Sequence, residues 1–132
     1  MILLVFVRIL KPLSEASIMV KHNSVECTRH RLAVTDTLEL LSGKWKLPII
    51  VTLSFRTYRF KELAKEVGIT PRMLSKELKE LEMNELVIRT VKDTKPVTVE
   101  YSMSPYAKTL DGVIREMKRW GEKHRARIMR KS

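Results

Sequence analysis

The stretch from Phe60 to Leu86, FKELAKEVGITPRMLSKELKELEMNEL, constrains the fold more than any other part of the chain. Its first segment repeats apolar residues at the spacing of one helical face, at Phe60, Leu63, Ala64 and Val67. Gly68 favours a helix end after this segment. Thr70 can then cap a second helix, and Pro71 suits its first position because proline has a helical φ and lacks the N–H. The sequence therefore predicts two helices joined by a tight turn.

The second of these helices has two chemically different faces. Its inner face is predicted to bury Leu74, Leu78 and Leu81. Its start and solvent face carry hydroxyl and cationic groups that can bind phosphates and read base edges, at Thr70, Arg72, Ser75, Lys76 and Lys79. This pattern predicts a helix-turn-helix whose second helix recognises DNA. The alternative is a helical hairpin with a solvated charged face, because basic helix faces are common.

The overall charge is compatible with a nucleic-acid partner. The chain of 132 residues has 26 Lys and Arg against 15 Asp and Glu, a formal net charge of +11 that attracts polyanions. This charge does not separate specific from nonspecific DNA binding, because attraction to phosphate is independent of sequence. The single cysteine, Cys27, cannot form an internal disulfide, which predicts a reducing, cytoplasmic location.

Residues 1–26 are predicted to be an N-terminal leader or arm. The apolar start MILLVFVRIL is too short to span a membrane, lacks a preceding basic segment and is interrupted by Arg8. No later stretch approaches the roughly 20 apolar residues of a spanning helix, so no membrane partner is predicted. The segment is either an arm that packs on a partner subunit or sequence upstream of a true start at Met19.

Two apolar segments precede the helix-turn-helix. Leu32, Val34, Leu38 and Leu41 predict a first core helix that ends at Ser42-Gly43. The segment from Trp45 to Phe55 is almost continuously apolar, which fits a buried strand or a buried helix. A helix is predicted because Pro48 is tolerated in a first helical turn but would remove a hydrogen bond from a central strand.

Two strands are predicted after the helix-turn-helix, at Leu86–Val91 and Val97–Met103, since both are rich in β-branched residues. The polar link KDTKP between them favours a turn. A hairpin at this place is the wing of a winged helix, and its tip is predicted to contact the DNA backbone or minor groove through Lys92, Thr94 and Lys95.

The C-terminal part is predicted to be helical from Ser104-Pro105 to its basic end, residues 126–132. An apolar stripe runs along this helix at Leu110, Val113, Ile114, Met117 and Trp120. Part of the stripe is predicted to face a second subunit, and the alternative is packing on the first helix of the same chain. The predicted fold class is α+β, mostly α: a winged helix-turn-helix with additional N- and C-terminal helices forming a dimer interface.

Four segments together, SGKWKLPII, YRFKEL, GITPRMLSKELKELE and VEYSMSP, resemble the HxlR-type winged-helix transcriptional regulators of bacteria and archaea. The resemblance extends from Cys27 to about Trp120 and defines a DNA-binding domain at residues 27–125. It implies a homodimer that binds a double-stranded DNA operator and represses, or less often activates, nearby genes. In several members of the family, a cysteine at the position of Cys27 senses oxidants or electrophiles.

The sequence departs from the family pattern in three places. Asn84-Glu85 replaces a usual glycine after the recognition helix, and Asn84 is expected to provide the left-handed conformation of the helix stop. The link KDTKP replaces a proline-rich wing, so the operator preference of the family does not carry over. Ala107 replaces a glycine near the start of the last helix, which favours helix.

The residues predict no enzyme, no cofactor and no metal among the site residues, since no catalytic constellation or phosphate-binding glycine loop is present. Cys27-x-x-His30 has a spacing that could join two metal ligands, with His22 and His124 as further candidates, so a metal-responsive repressor is an alternative. A second alternative is a basic winged-helix module that binds nucleic acid or a partner without sequence specificity.

Cys27 is the candidate for a redox or small-molecule signal. Arg29, His30 and Arg31 follow it at the expected front of a helix, and both cations and a helix N-terminus favour the reactive thiolate. As the only cysteine, it could form a disulfide with a small thiol or with Cys27 of a second subunit. The alternative is an inert thiol near a dimer seam.

Overall fold

The computed structural model describes residues 18–132, with side chains described from residue 24 onward. Residues 1–17 of the predicted arm at residues 1–26 therefore lie outside the described residues, whereas residues 18–26 are helical. The chain divides into two units, Met1–Leu41 and Ser42–Ser132. In the described part of the chain, every helix is either too short or too polar to cross a membrane.

The described part of the first unit is dominated by helix α1, Ile18–Leu40. The predicted helix after Leu32 is confirmed, but it forms only the second half of α1. The prediction that its apolar residues belong to a core is wrong for Val34 and Leu38, which are 59% and 61% exposed. A single helix cannot bury its own apolar stripe and needs a second element to cover it.

The second unit contains the remaining elements, which are α2 (Lys46–Leu53), β1 (Tyr58–Arg59), α3 (Phe60–Val67), α4 (Pro71–Met83), β2 (Val87–Lys92), β3 (Thr98–Met103), α5 (Pro105–Lys108) and α6 (Asp111–Lys131). Helix α2 confirms the choice of helix over strand, with Pro48 in its first turn. The largest fully buried side chains come from α2, α3, α4 and the residue before β2, and they are Ile49, Ile50, Leu63, Leu74, Leu78, Leu81 and Leu86. The predicted inner face of α4 is therefore confirmed.

The three strands form one antiparallel sheet in the order β1-β3-β2. The hairpin predicted as the wing is confirmed, with register from Val87↔Met103 to Lys92↔Thr98. Strand β1 was not predicted, because its two residues are too few to show a strand periodicity. Its Tyr58 pairs with Tyr101 and joins the start of α3 to the wing.

The C-terminal part begins with a side-chain cap, as predicted. The hydroxyl oxygen of Ser104 accepts a hydrogen bond from the N–H of Ala107 at 2.9 Å and its O–H donates to the carbonyl of Glu85 at 2.6 Å. The prediction of one continuous helix is wrong, because α5 ends at Lys108 and α6 starts at Asp111. The predicted basic end, residues 126–132, is helical as far as Lys131.

Candidate DNA-binding surface

The turn between α3 and α4 has the geometry that its sequence predicts. Gly68 ends α3 with φ +75°, and its N–H donates to the carbonyl of Ala64 at 3.0 Å. At the start of α4, the hydroxyl of Thr70 accepts a hydrogen bond from the N–H of Met73 at 3.3 Å. Pro71 occupies the first turn of α4. These local interactions fix the N-terminal end of α4 at the surface.

Helix α3 is held at its own start by a carboxylate. The N–H of Arg59 donates to Oε2 of Glu62 at 3.1 Å, and the guanidinium of Arg56 lies 3.5 Å from the same oxygen. The hydrogen bond from Arg59, aided by Arg56, holds the pKa of Glu62 below its usual value. The guanidinium carbon of Arg56 also lies over the ring of Tyr58, 3.7 Å from the ring centre. This cluster links the start of α3 to β1.

The exposed face of α4 lines an open cleft of about 750 Å³. The cleft contains all five residues predicted on the recognition helix together with one residue that was not predicted, and its lining is Thr70, Arg72, Met73, Ser75, Lys76 and Lys79. Cations and hydroxyls that share one exposed helix face can bind phosphates and reach base edges. The surface therefore has the chemistry of a DNA-reading helix.

The inner side of α4 carries two carboxylates that are neutralised by Lys46 of α2. Its ammonium nitrogen lies 2.8 Å from Oε2 of Glu77 and 2.6 Å from Oε2 of Glu80. Burial of the ammonium lowers the pKa of Lys46, but hydrogen bonds and charges of the two glutamates outweigh it and raise this pKa above its ordinary 10.5. The hydrogen bond from Lys46 lowers the pKa of Glu80. On the inner side of α4, the positive charge of Lys46 thereby partly offsets the negative charges of both glutamates.

Two of the three wing residues predicted to contact DNA, Lys92 and Thr94, interact with other residues of the wing. Lys92 is the last residue of β2, and its ammonium lies 3.1 Å from Oε2 of Glu100 on β3. Thr94 donates a hydrogen bond to the carbonyl of Pro96 at 2.9 Å, which stabilises the link between the strands. Lys95 is exposed in this link. The structure therefore places Lys95 at the tip and Lys92 at the base of the link.

The end of α4 differs from the predicted helix stop. Asn84 has φ −89°, and the left-handed residue is Glu85, with φ +60°. The N–H of Glu85 donates to the carbonyl of Glu82 at 3.0 Å, and the N–H of Leu86 donates to that of Leu81 at 2.9 Å. This is a Schellman motif, which places the left-handed residue one position after the helix cap. The expectation for Asn84 was therefore wrong by one residue.

Three of the five side chains in the apolar stripe along α6 are exposed. Leu110 and Ile114 are half-buried, and Val113 is exposed. Met117 and Trp120 are 45% and 67% exposed, and the Trp120 ring stacks on His124 with ring centres 4.8 Å apart. These are the five residues that the sequence predicts at a dimer interface.

Cys27 is exposed on α1, where a reagent can reach it. The expectation that it stands at the front of a helix was wrong, because α1 extends back to Ile18. The field of a helix end acts only within the first or last turn, so it does not reach Cys27. Among the described residues, no group of three or more His, Cys, Asp or Glu side chains could hold a metal ion.

Comparison with known proteins shows that residues 40–129 match the HxlR-like helix-turn-helix family. The HTH-type transcriptional regulator YdeP of Bacillus subtilis (strain 168) is 42% identical over 96 residues, which cover 72% of this chain and 75% of YdeP. The reduced form of the redox regulator HypR superposes with a TM-score of 0.69 at 36% identity, covering 74% of this chain and 97% of HypR. Diamide-treated YodB from B. subtilis gives a TM-score of 0.59 at 36% identity, covering 67% and 89% of the two chains.

Proposed function

This chain belongs to the HxlR-like helix-turn-helix family, and on that premise we propose that it is a homodimeric, cytoplasmic regulator that binds a specific double-stranded DNA operator and represses the genes beside it. The observation that carries the proposal is the exposed face of α4, where cations and hydroxyls share one cleft. Phosphate contacts would position this face, and base contacts near the start of α4 would supply the specificity.

The electrostatics of α4 support a polyanionic ligand. The exposed side holds Arg72, Lys76 and Lys79, whereas Lys46 offsets the carboxylates of Glu77 and Glu80 on the inner side. A phosphate backbone that approaches the cleft therefore meets cations before it meets carboxylates. The net charge of +11 extends this attraction to the whole chain.

Assembly into a dimer would cover the apolar stripe of α6. Exposed Met117 and Trp120 lie on the same helix as half-buried Ile114, and a second copy can bury them together. A twofold dimer would bring two copies of α4 to successive major grooves, about 34 Å apart. The operator is then expected to contain two related half-sites.

A redox signal through Cys27 is the regulatory part of the proposal. The thiol is exposed, and the similar proteins include a redox regulator, HypR, and a regulator solved after diamide treatment, YodB. In the dimer, two Cys27 thiols would give up two protons and two electrons to an oxidant such as diamide and join as a disulfide. An electrophile would instead add to a single thiolate.

Footprinting on the DNA beside the gene of this chain tests the proposal. A protected site with two half-sites, bound far more tightly than random DNA of the same length, is expected. The binding should be measured at several salt concentrations, because the salt slope counts the phosphate contacts. Equal affinity for all sequences with a steep salt slope would favour the alternative of a nonspecific nucleic-acid module.

A further inference from the structure

The cleft on α4 contains one apolar side chain among polar ones. Met73 is 38% exposed and shares the cleft with residues that all carry a hydroxyl or a positive charge. It is the third residue of α4, in the helical turn that follows the Thr70 cap. An apolar group within a basic surface gains little from water or phosphate, so its ligand should be apolar as well.

We propose that Met73 is a specificity-determining residue that recognises a thymine through its C5-methyl group. The proposal rests on the proposed function, in which α4 enters the major groove. Residues near the N-terminus of such a helix contact base edges. The apolar group that base pairs display in this groove is the methyl of thymine, and apolar side chains contact it.

The hydrogen bonds at the start of α4 exclude a polar role for Met73. Its backbone N–H already donates to the hydroxyl of Thr70 at 3.3 Å, so this N–H is not available to a phosphate. Its side chain has no donor, and the thioether sulfur is only a weak acceptor. Van der Waals contact is what remains, and the unbranched side chain can adapt its shape to a methyl group. Arg72 and Ser75 can meanwhile hydrogen-bond to neighbouring base edges.

Replacement of single thymines by deoxyuridine tests this contact, because the exchange removes one methyl group and leaves the hydrogen-bonding edge unchanged. The operator is first defined by footprinting, and each thymine in it is then exchanged in turn. The wild-type chain is expected to lose about fourfold in affinity at one thymine of each half-site, the value of one buried methyl group. Met73→Ala should bind the same operator more weakly and no longer distinguish thymine from uracil there.

Two further variants separate this contact from a general disturbance of α4. Met73→Leu keeps an apolar side chain and should retain most of the preference for thymine. Met83→Ala removes the other exposed methionine of α4, ten residues later and thus about 15 Å farther along the helix. It should leave the uracil penalty unchanged. Thermal unfolding of each variant shows that the fold is retained.

Three results would overturn the proposal. One is a wild-type chain that binds every deoxyuridine operator as tightly as the unmodified one. Another is a penalty that persists undiminished in Met73→Ala, which would assign the methyl contact to a different residue. In both cases the proposed function stands, since the operator is still preferred over random DNA. A wild-type chain without any such preference would overturn the proposed function and this inference together.

Discussion

The ammonium nitrogen of Lys46 lies 2.8 Å from Oε2 of Glu77, and the two side chains are only 11% and 12% exposed. Lys46 belongs to α2 and Glu77 to α4, so this ion pair joins the recognition helix to the core beneath it. Removal of one partner from an enclosed ion pair leaves a desolvated charge, which costs more than the pair itself contributes. The stability of the recognition helix should therefore depend on Lys46.

We expect Lys46→Met to lower the free energy of unfolding by about 2 to 3 kcal/mol, because Glu77 is left nearly buried without a cation while the more exposed Glu80 regains water. Urea unfolding at a fixed protein concentration measures this loss. Lys61→Met is the matched control, since it removes the same charge from an exposed position on α3 and should cost less than about 0.5 kcal/mol. Equal losses in the two variants would contradict a role for the ion pair.

The same variant should change how stability depends on pH. The lowered pKa of Glu80 gives stability that is present above its ordinary 4.5 and is lost as pH falls through the folded-state value. The raised pKa of Lys46 gives stability that is present below 10.5 and is lost as pH rises through the folded-state value. Lys46→Met should therefore weaken both declines. If the free energy of unfolding changes with pH in the same way in the wild type and the variant, the ion pair does not contribute to the pH dependence of stability.

The left-handed conformation of Glu85 leads to a second prediction. A residue with a β-carbon is strained at φ +60°, by about 1 to 2 kcal/mol relative to glycine. Glu85→Gly relieves this strain, but the greater conformational entropy of glycine in the unfolded chain offsets part of the gain. The net stabilisation should be about 0.5 to 1 kcal/mol. Asn84→Gly is the control, and with φ −89° it should give no gain. Thermal unfolding compares the two, and a larger gain at Asn84 would contradict the assigned helix stop.

Local signals in the sequence account for most of the fold. The caps at Thr70 and Ser104 and the left-handed Gly68 are set by neighbouring residues, so they could be predicted and are confirmed. The strands of the wing follow in the same way from their β-branched residues. Elements of this kind need no knowledge of the tertiary structure.

What the sequence did not reveal depends on contacts between distant residues. Lys46 lies 31 positions before Glu77, and no spacing rule relates them. Val34 and Leu38 have the periodicity of core residues, but periodicity does not show whether a neighbour in the same chain covers them. Met73 was missed because a methionine in a helical repeat is usually read as core. Its exposure on the basic face could be seen only in the folded chain.

A third prediction separates base reading from phosphate binding on α4. Arg72→Ala should cost about 1 to 3 kcal/mol on the operator and little on random DNA, because an arginine at the start of a recognition helix can bind guanine with two hydrogen bonds. Lys79→Ala, two turns later, should weaken both kinds of binding alike and reduce the salt slope by about 1. Fluorescence anisotropy with both DNAs measures the effects. Equal losses for Arg72→Ala on the two DNAs would restrict that residue to phosphate.

The fourth prediction concerns the apolar stripe of α6. Ile114→Glu should destabilise the dimer by about 3 kcal/mol or more if a partner subunit desolvates the introduced charge. The variant should sediment as a monomer and lose operator affinity. Because Ile114 is already half-buried in its own chain, Met117→Glu at a more exposed position tests the interface with less disturbance of the fold.

Arg115→Ala is the control for both stripe variants, since it changes the net charge by the same amount beside the stripe and should remain dimeric. Sedimentation velocity over a range of concentrations gives the assembly state, and circular dichroism confirms the helices. Folded dimers for both glutamate variants would place the interface elsewhere on the chain.

The last prediction is that modification of Cys27 changes operator binding. The thiol is exposed on α1, and a disulfide or a bulky adduct there would shift α1 against the second subunit of the proposed dimer. Since two recognition helices must keep a spacing of about 34 Å, a displacement of a few ångströms weakens their simultaneous insertion. We expect operator affinity to change about tenfold or more, which corresponds to an allosteric coupling of about 1 to 3 kcal/mol.

A titration of the operator with reduced, diamide-treated and quinone-treated chain measures this coupling, and Cys27→Ser provides the insensitive control. Non-reducing electrophoresis distinguishes a disulfide between subunits from an adduct on one thiol, since the chain contains no other cysteine. Mass spectrometry must show that Cys27 has reacted in each treated sample. If the modified chain then binds the operator with unchanged affinity, the thiol has no sensing role, and operator binding by α4 is independent of it.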